Sequence, residues 1–349
     1  MRTDTLVASN EGINLLDLPR GPMLRTPKSV PILAPPCAST PPIGVSRGNA
    51  LVVLSFDIEE HHRIEAASHL SVSPESQVYY RNRREVSTNW LLDQLAARDV
   101  KATFYVVGEL AHLSRDLVKA IASAGHEVGS HGWDHRRVLA MDPETFRQDV
   151  RKCKDALEQA TGKPVSGFRA PTFSVVRQTI WALEILAEEG YLYDSSIYPV
   201  RHDRYGIPEL PLTPFEVRTK VGPILELPPL TLRWLGMNLP VGGGGYFRLL
   251  PSWFMSCGIR QMSRRGVQNP AVLYFHPWEF DAQQERLPLT GPSRFRTYTG
   301  IQTSQRRLQE LLDAGHRFER AEDVARDLRG GDLPRFEMES IREGQFTLA

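Results

Sequence analysis

The run Leu51-Val52-Val53-Leu54-Ser55-Phe56-Asp57-Ile58-Glu59-Glu60-His61-His62 decides the fold and points to the chemistry. From Ala50 to Phe56 it is apolar apart from Ser55 and carries β-branched residues. It does not alternate with polar residues, as a half-exposed strand would. A short run of this kind reads as a strand buried on both faces, the habit of parallel sheets covered by helices. The strand hands over at once to the carboxylates Asp57, Glu59 and Glu60. Residues i and i+2 of an extended segment share a face. Asp57 and Glu59 therefore can address one site, one as a base and one as a ligand. The bland alternative is a solvated acidic loop.

Downstream the pattern alternates. Apolar residues at helical spacing occupy Thr88 to Arg98, Leu117 to Ala124, Pro143 to Ala160, Gln178 to Glu189 and Gln302 to Ala314. Strand-like runs fall between them at Val100 to Val107, Glu127 to His131, Ser166 to Arg169, Tyr191 to Tyr193, Ile224 to Leu227 and Ala271 to Phe275, with Arg317-Phe318 opening the last one. Strands alternating with helices of this length predict an α/β fold, a parallel sheet or barrel. Nearly every strand ends on an ionisable residue: Asp57, His131, Arg169, Asp194 and His276. Active sites of parallel α/β folds form at the carboxyl ends of the strands. These distant residues are thus expected to converge in one mouth.

Composition narrows the function. The chain has 349 residues, with 42 Lys plus Arg against 41 Asp plus Glu. A net charge of +1 leaves no basic footprint for nucleic acid. No apolar run is long enough to span a membrane, and the first residues lack the apolar stretch of a secretory signal. The three cysteines are far apart and form no CxxC pair, which argues against a zinc knuckle or disulfide scaffold and fits a reducing compartment. Residues 1–47 are rich in Pro, Ser and Thr and read as a disordered leader.

The strongest local motif is His131-Gly132-Trp133-Asp134-His135. Histidines at i and i+4 lie on one helical face or span one tight turn, and both imidazoles can reach a single cation. With a carboxylate such as Glu59 added, the set is an open catalytic metal site. Arg169, before the rigid Ala170-Pro171 turn, can hold a buried carboxylate ionised. His276, after the strand Ala271 to Phe275, is a candidate general acid, and Asp194 could orient it. The run Gly242-Gly243-Gly244-Gly245-Tyr246-Phe247 lacks the ending of a phosphate loop. It reads as a loop that lets backbone pass close to a bulky ligand, with Tyr246 and Trp278 offering stacking faces and Pro171 a further substrate contact.

Taken in order, these motifs resemble the polysaccharide deacetylases of the NodB-homology family, the family-four carbohydrate esterases. FDIEEHH, RAPTFS, YDSSIYP, LPVGGGGYFRLLP and FHPWEFD are similar to the subgroup associated with exosortase and exopolysaccharide gene clusters. The resemblance implies a distorted (β/α) barrel with fewer than eight regular strands over residues 48–329. That span includes an insert at 198–265, and a tail follows at 330–349. It implies a divalent cation, most simply zinc, on His131, His135 and Glu59. Asp57 would be the base, Arg169 its brace, His276 the acid and Asp194 the acid's orienting group. Many members carry two adjacent aspartates, whereas Ile58 follows Asp57 here, so the third ligand is Glu59 or, second, Glu60. The implied activity is N-deacetylation of N-acetylhexosamine residues in a polysaccharide. Hydrolysis of a small amide such as allantoin, and an inactive carbohydrate-binding relative, are the alternatives. The cytoplasm is the expected location, with the periplasm second because some relatives work outside the cytoplasm.

Overall fold

In the computed structural model, residues 49–346 are described; the leader expected over 1–47 lies outside them. Burial on both faces forces neighbours onto both sides of the first strand, and the structure supplies them. The strands are β1 (Leu51–Ile58), β2 (Thr103–Val106), β3 (Glu127–Ser130), β4 (Gly167–Phe168), β5 (Tyr193–Asp194), β6 (Phe215–Thr219), β7 (Gly222–Glu226), β8 (Thr231–Trp234), β9 (Met237–Pro240), β10 (Ala271–Phe275), β11 (Arg317–Glu319) and β12 (Arg335–Glu337). All eight residues of β1 are buried. It pairs in parallel with β10 along Val52 to Phe56, with β2 along Ser55 to Ile58, and with β11 along Leu51 to Val53.

The order β10-β1-β2-β3-β4-β5-β7 runs parallel throughout. Just past β7, Pro229 bridges to Val272 of β10, and the Leu230 N–H donates to the Val272 carbonyl at 2.8 Å. That contact closes the ring. The fold is a distorted (β/α) barrel, in which several wall strands are only two to four residues long. Antiparallel β6 and then β12 extend the sheet beyond the ring at β7, while β8 and β9 form a separate hairpin.

The helices follow from ordinary end signals. Helix Pro74–Ala96 starts on Ser73, whose Oγ accepts from the Ser76 N–H, with proline in its first turn. Helix Pro143–Thr161 starts on Asp142, which accepts from the Thr145 N–H at 2.8 Å, and stops at Gly162 in the left-handed region. Its buried stripe of Phe146, Val150, Cys153, Leu157 and Ala160 has the period of a helix covering a sheet.

Alternate residues of each strand fill the barrel. Leu51, Val53, Tyr105, Tyr193, Leu225, Leu227 and Val272 share one cluster with Ala321, Val324 and Leu328 of the helix Ala321–Leu328. Gly167 makes room for this cluster, since a Cβ there would lie 2.1 Å from the Tyr193 ring. Toward the carboxyl ends of the strands the β1 side chains of the same parity turn polar: Ser55, then Asp57. One strand therefore supplies both core and site.

Two boundaries differ from expectation. The segment read as a tail at 330–349 contributes β12 and the helix Met338–Glu343, with Phe336 and Ile341 buried. Three residues of alternation are too short to register in a sequence pattern. The insert expected at 198–265 contains β7, a strand of the ring, together with β6, the β8–β9 hairpin and the helices Gly244–Leu249 and Ser252–Arg264. No helix among the described residues is long and apolar enough to cross a membrane.

Candidate active site

Asp57, at the end of β1, is 3% exposed and has a fixed partner. Arg169 is wholly buried, and its Nη1 donates to Asp57 Oδ1 at 2.8 Å and to Ser55 Oγ at 2.7 Å. Its Nη2 donates to Ser195 Oγ and its Nε to the Ser195 carbonyl. Its guanidinium lies 4.2 Å from the Tyr105 ring centroid. Burial disfavours the arginine's charge, yet Asp57 and its hydrogen bond hold the arginine's pKa above the ordinary value. A buried cation braced on four sides holds its carboxylate partner in one orientation.

Glu59, His131 and His135 form a group that could hold a metal ion, their ligand atoms all lying within 4.8 Å of one another. His131 Nδ1 is 2.8 Å from the Arg169 carbonyl. A carbonyl only accepts, so Nδ1 carries the proton and Nε2 presents its lone pair to the site. Such a backbone partner is the usual way a protein fixes a ligating imidazole. Burial pushes the His131 pKa down to about 4, so the ring is neutral, as a ligand must be. His131 and His135 do not sit on a helix. They span a turn in which His135 takes a φ of 66°, a left-handed conformation that costs a non-glycine residue on the order of 1–3 kcal/mol. Glu59 Oε2 is buried and makes no hydrogen bond of normal geometry, although His135 Nε2 stands beside it. Burial would raise the Glu59 pKa, but His135, His276 and His131 hold it well below the usual carboxylate range. An orphaned carboxylate oxygen beside two imidazoles, one of them presenting its Nε2 lone pair, is the donor set a divalent cation fits.

Glu60 is placed differently. Its Oε1 pairs with the buried Arg84 and its Oε2 accepts from Arg63 Nε at 2.6 Å. Both oxygens are committed to guanidinium groups, away from the metal cluster.

His276, just past β10, points its Nε2 at the same site, 3.9 Å from Asp57 Oδ2 and 3.7 Å from Glu59 Oε1. Its Nδ1 lies 2.8 Å from Glu279 Oε1, which also accepts the His276 backbone N–H. Glu279 is wholly buried, and its Oε2 accepts from Arg248 Nε at 2.8 Å. Arg248 in turn donates to the Arg296, Thr297 and Thr299 carbonyls. Burial lowers the His276 pKa, but the Glu279 hydrogen bond and the Glu59, Glu279 and Asp57 charges outweigh it and raise it to about 9. The imidazole therefore holds its proton at neutral pH.

Asp194, expected to orient His276, has no contact with it among the described residues. Its Oδ1 accepts from Ser196 Oγ at 2.5 Å, while its Oδ2, like Glu226 Oε2, is buried without a hydrogen-bond partner. Burial raises both carboxyl groups, Asp194 to about 6 and Glu226 further. Ser196 Oγ also accepts the Ala170 N–H, which places this pair behind the Arg169 strand end. Glu279 occupies the orienting position instead. The signal in the sequence was the spacing His276-Pro277-Trp278-Glu279, which returns a carboxylate to the histidine across one tight turn.

All this opens into a cleft of about 550 Å³. Asp57, Glu59, His131, His135 and His276 lie on its lining, with Tyr246 and Trp278 beside them. The Trp278 ring stacks on His276 with centroids 5.5 Å apart. Pro171 does not line the cleft. It is buried, and its neighbours Ala170, Thr172 and Phe173 face the space. Thr172 and Phe173 have φ of 57° and 52°, so this turn too is held in a strained conformation. Gly243 lets the glycine run pass against β10, because a Cβ there would sit 1.7 Å from the Tyr274 carbonyl oxygen.

Residues 77–191 match the family model described as polysaccharide deacetylase. That segment of the chain is similar to the polysaccharide deacetylase family. Residues 195–326 match a second model, a domain of unknown function (DUF3473). A peptidoglycan deacetylase-like protein of Gibberella zeae is 33% identical over 107 residues, covering 31% of this chain and 30% of that one. A peptidoglycan-N-acetylglucosamine deacetylase of Bacillus cereus is 30% identical over 95 residues, covering 27% and 34%. The matches thus span about a third of the length of these relatives. Among solved structures, one described as a polysaccharide deacetylase from Mycobacterium smegmatis is similar in fold, with a TM-score of 0.56 at 21% identity, covering 85% of this chain and 96% of that one.

The two matched segments do not build two sites. His131, His135 and Arg169 come from the first, while His276, Glu279, Arg248 and Tyr246 come from the second. Asp57 and Glu59 precede both. β10, from the second segment, is the hydrogen-bonded neighbour of β1.

Proposed function

We propose that this chain is a metal-dependent hydrolase that removes N-acetyl groups from N-acetylhexosamine residues of a polysaccharide or its precursor. One observation carries the reading: a braced carboxylate, Asp57, and a protonated imidazole, His276, face each other across 3.9 Å beside the trio Glu59, His131 and His135. Amide hydrolysis needs these parts together. A base must take a proton from water, an acid must give one to the departing nitrogen, and the oxyanion needs stabilising.

A divalent cation, for which zinc is the simplest choice, would polarise the acyl oxygen and acidify a water when bound to Glu59, His131 and His135. The chain's own residues do the rest. Asp57 Oδ2, the oxygen not held by Arg169, accepts the proton of the attacking water. Arg169 holds that carboxylate in place by its other oxygen. His276 donates from Nε2 to the leaving amine, and Glu279 on Nδ1 stabilises the imidazolium beforehand. Acetate and a free amino sugar leave. A cleft of about 550 Å³ walled by Tyr246 and Trp278 suits a sugar chain better than a molecule as small as allantoin. The likeness of FDIEEHH, RAPTFS and FHPWEFD to the exosortase-associated subgroup supports a role in exopolysaccharide biosynthesis.

Acetate release from chitohexaose, by chelated protein and by protein given back zinc, tests the reading. Zinc-dependent release is expected. Release that persists in chelator, or in the double variant His131→Ala/His135→Ala, would overturn it.

A further inference from the structure

The far wall of the cleft carries charge that the deacetylation chemistry does not use. The loop after β5 places Arg201, His202, Asp203, Arg204 and Tyr205 on the lining, and the helix Gly291–Tyr298 adds Arg296 from the opposite side. Arginines of this chain are mostly paired. Arg169, Arg248, Arg84 and Arg63 each hold a carboxylate. Among the described residues the side chains of Arg201, Arg204 and Arg296 form no ion pair, no hydrogen bond and no stacking contact. Of the cleft's other acids Glu65 is engaged, its Oε1 3.2 Å from Arg137, while Asp203 Oδ1 lies 3.0 Å from a His202 Nδ1 that already accepts the Arg204 N–H. Three guanidinium groups therefore face the space against the single Asp203 carboxylate.

The wall is also fixed in place. Asn238 Nδ2 donates to the Pro199 and Pro208 carbonyls and so pins both ends of the arginine loop. The Ile207 N–H donates to the Tyr198 carbonyl at 2.9 Å. His202 stacks on Tyr205 with centroids 4.0 Å apart, and Tyr205 stacks on Tyr198. Tyr205 also meets Phe173, on the strained turn that follows Arg169. Unpaired guanidinium forks on a preorganised wall are suited to carboxylate or phosphate, which they bind in two-point fashion.

We propose that the cleft selects an anionic glycan: an N-acetylhexosamine unit whose neighbour bears a carboxylate or phosphate that docks on Arg201, Arg204 and Arg296. This rests on the proposed N-deacetylation and names its substrate class.

The test is calorimetric binding to the full chain under chelation, so that it does not depend on turnover. The probes are neutral chitohexaose, a hexasaccharide alternating N-acetylglucosamine with glucuronate, and UDP-N-acetylglucosamine. At least one anionic probe is expected to bind about tenfold or more tighter than chitohexaose, with an affinity that falls between 50 and 500 mM salt on the order expected for exposed charges. The uronate oligomer doing so assigns a carboxylate, and the nucleotide sugar a phosphate. Arg201→Gln/Arg204→Gln/Arg296→Gln should remove that preference, and the matching lysine variant should retain part of it. Equal affinity for neutral and anionic probes, or a preference unchanged in the glutamine variant, overturns the proposal. Acetate release from chitohexaose on the zinc-restored protein is scored separately. Release without anion preference sinks this inference alone, whereas arginine-dependent anion binding with no acetate release from any probe sinks the deacetylase reading.

Discussion

His276 and Asp57 meet at the carboxyl ends of β10 and β1, adjacent parallel strands, with Nε2 3.9 Å from Oδ2. Neighbouring strands in register bring together two groups 219 positions apart in sequence (276 − 57). Each is held from behind by a buried ion pair, Asp57 by Arg169 and His276 by Glu279 with Arg248. In the proposed reaction the gap between them takes the scissile group. Asp57→Asn keeps the shape and removes the base, so kcat on chitohexaose should fall by about 10²–10⁴. His276→Gln should cost a similar factor. The double variant should lose far less than the product of the two, because both act in one transition state. Full multiplication would mean that they serve separate steps.

Glu59 and Glu60 are adjacent, and the structure gives them opposite work. Glu59→Gln should abolish stoichiometric zinc binding and lower the melting temperature of the chelated protein only modestly, since His135 and His276 beside the carboxylate favour its charged form in the fold. Glu60→Gln should leave the zinc-to-protein ratio near that of the parent. It strands Arg84, whose side chain is 1% exposed, and removing one partner of a buried pair costs about 3–5 kcal/mol. Metal analysis and thermal melts on both variants check this. The opposite pattern would make Glu60 the ligand.

Glu279 orients His276 and neutralises Arg248 at once. Glu279→Gln should therefore hurt twice. Stability drops because Arg248 keeps its charge without a counter-ion. The kcat drops because the imidazolium loses its carboxylate, while KM for chitohexaose changes little. Asp194→Asn should leave the His276 hydrogen bond intact. Its effect should appear in stability, through the buried neighbour Glu226, more than in kcat. Steady-state kinetics on the two variants side by side would decide which carboxylate serves the histidine.

What the sequence made legible follows a physical divide. Leu51 to Asp57 is readable because burial on both faces leaves an unbroken apolar run, and one change of polarity marks the strand end. His131 and His135 are readable because one turn supplies both ligands. Glu279 was within reach, three residues from His276, but a carboxylate at that spacing looks the same whether it caps a turn or serves a catalytic group. Arg248 was not legible. Its role depends on a helix of six residues, Gly244–Leu249, reaching the Glu279 turn from outside the strand-helix alternation. The ring-closing contact of Pro229 with Val272 left no periodic trace either, since it is a single bridge after a strand that ends in two prolines.

Glu127 provides a pH signature away from the metal cluster. It starts β3 inside the barrel and accepts from Tyr193 Oη, from Thr103 Oγ1 and from the Glu322 N–H. Burial and the nearby Glu322 charge raise its pKa to about 7 against 4.5 for a free glutamate, although these hydrogen bonds pull it back. Between those values the folded chain keeps a proton on Glu127 that the unfolded chain releases, so the contribution of Glu127 to stability falls as pH rises through that window and levels off above about 7. The slope approaches about 1.4 kcal/mol per pH unit, or about 3 kcal/mol in all. Tyr105 donates to Tyr193 in the present hydroxyl chain, which can reverse to accept from an amide. Glu127→Gln should therefore be accommodated, gain on the parent as pH rises from 5 to 8, and be more stable than the parent at pH 8. Denaturant melts of both proteins at those two pH values measure it, and a parent-to-variant difference that does not change across that range would overturn it.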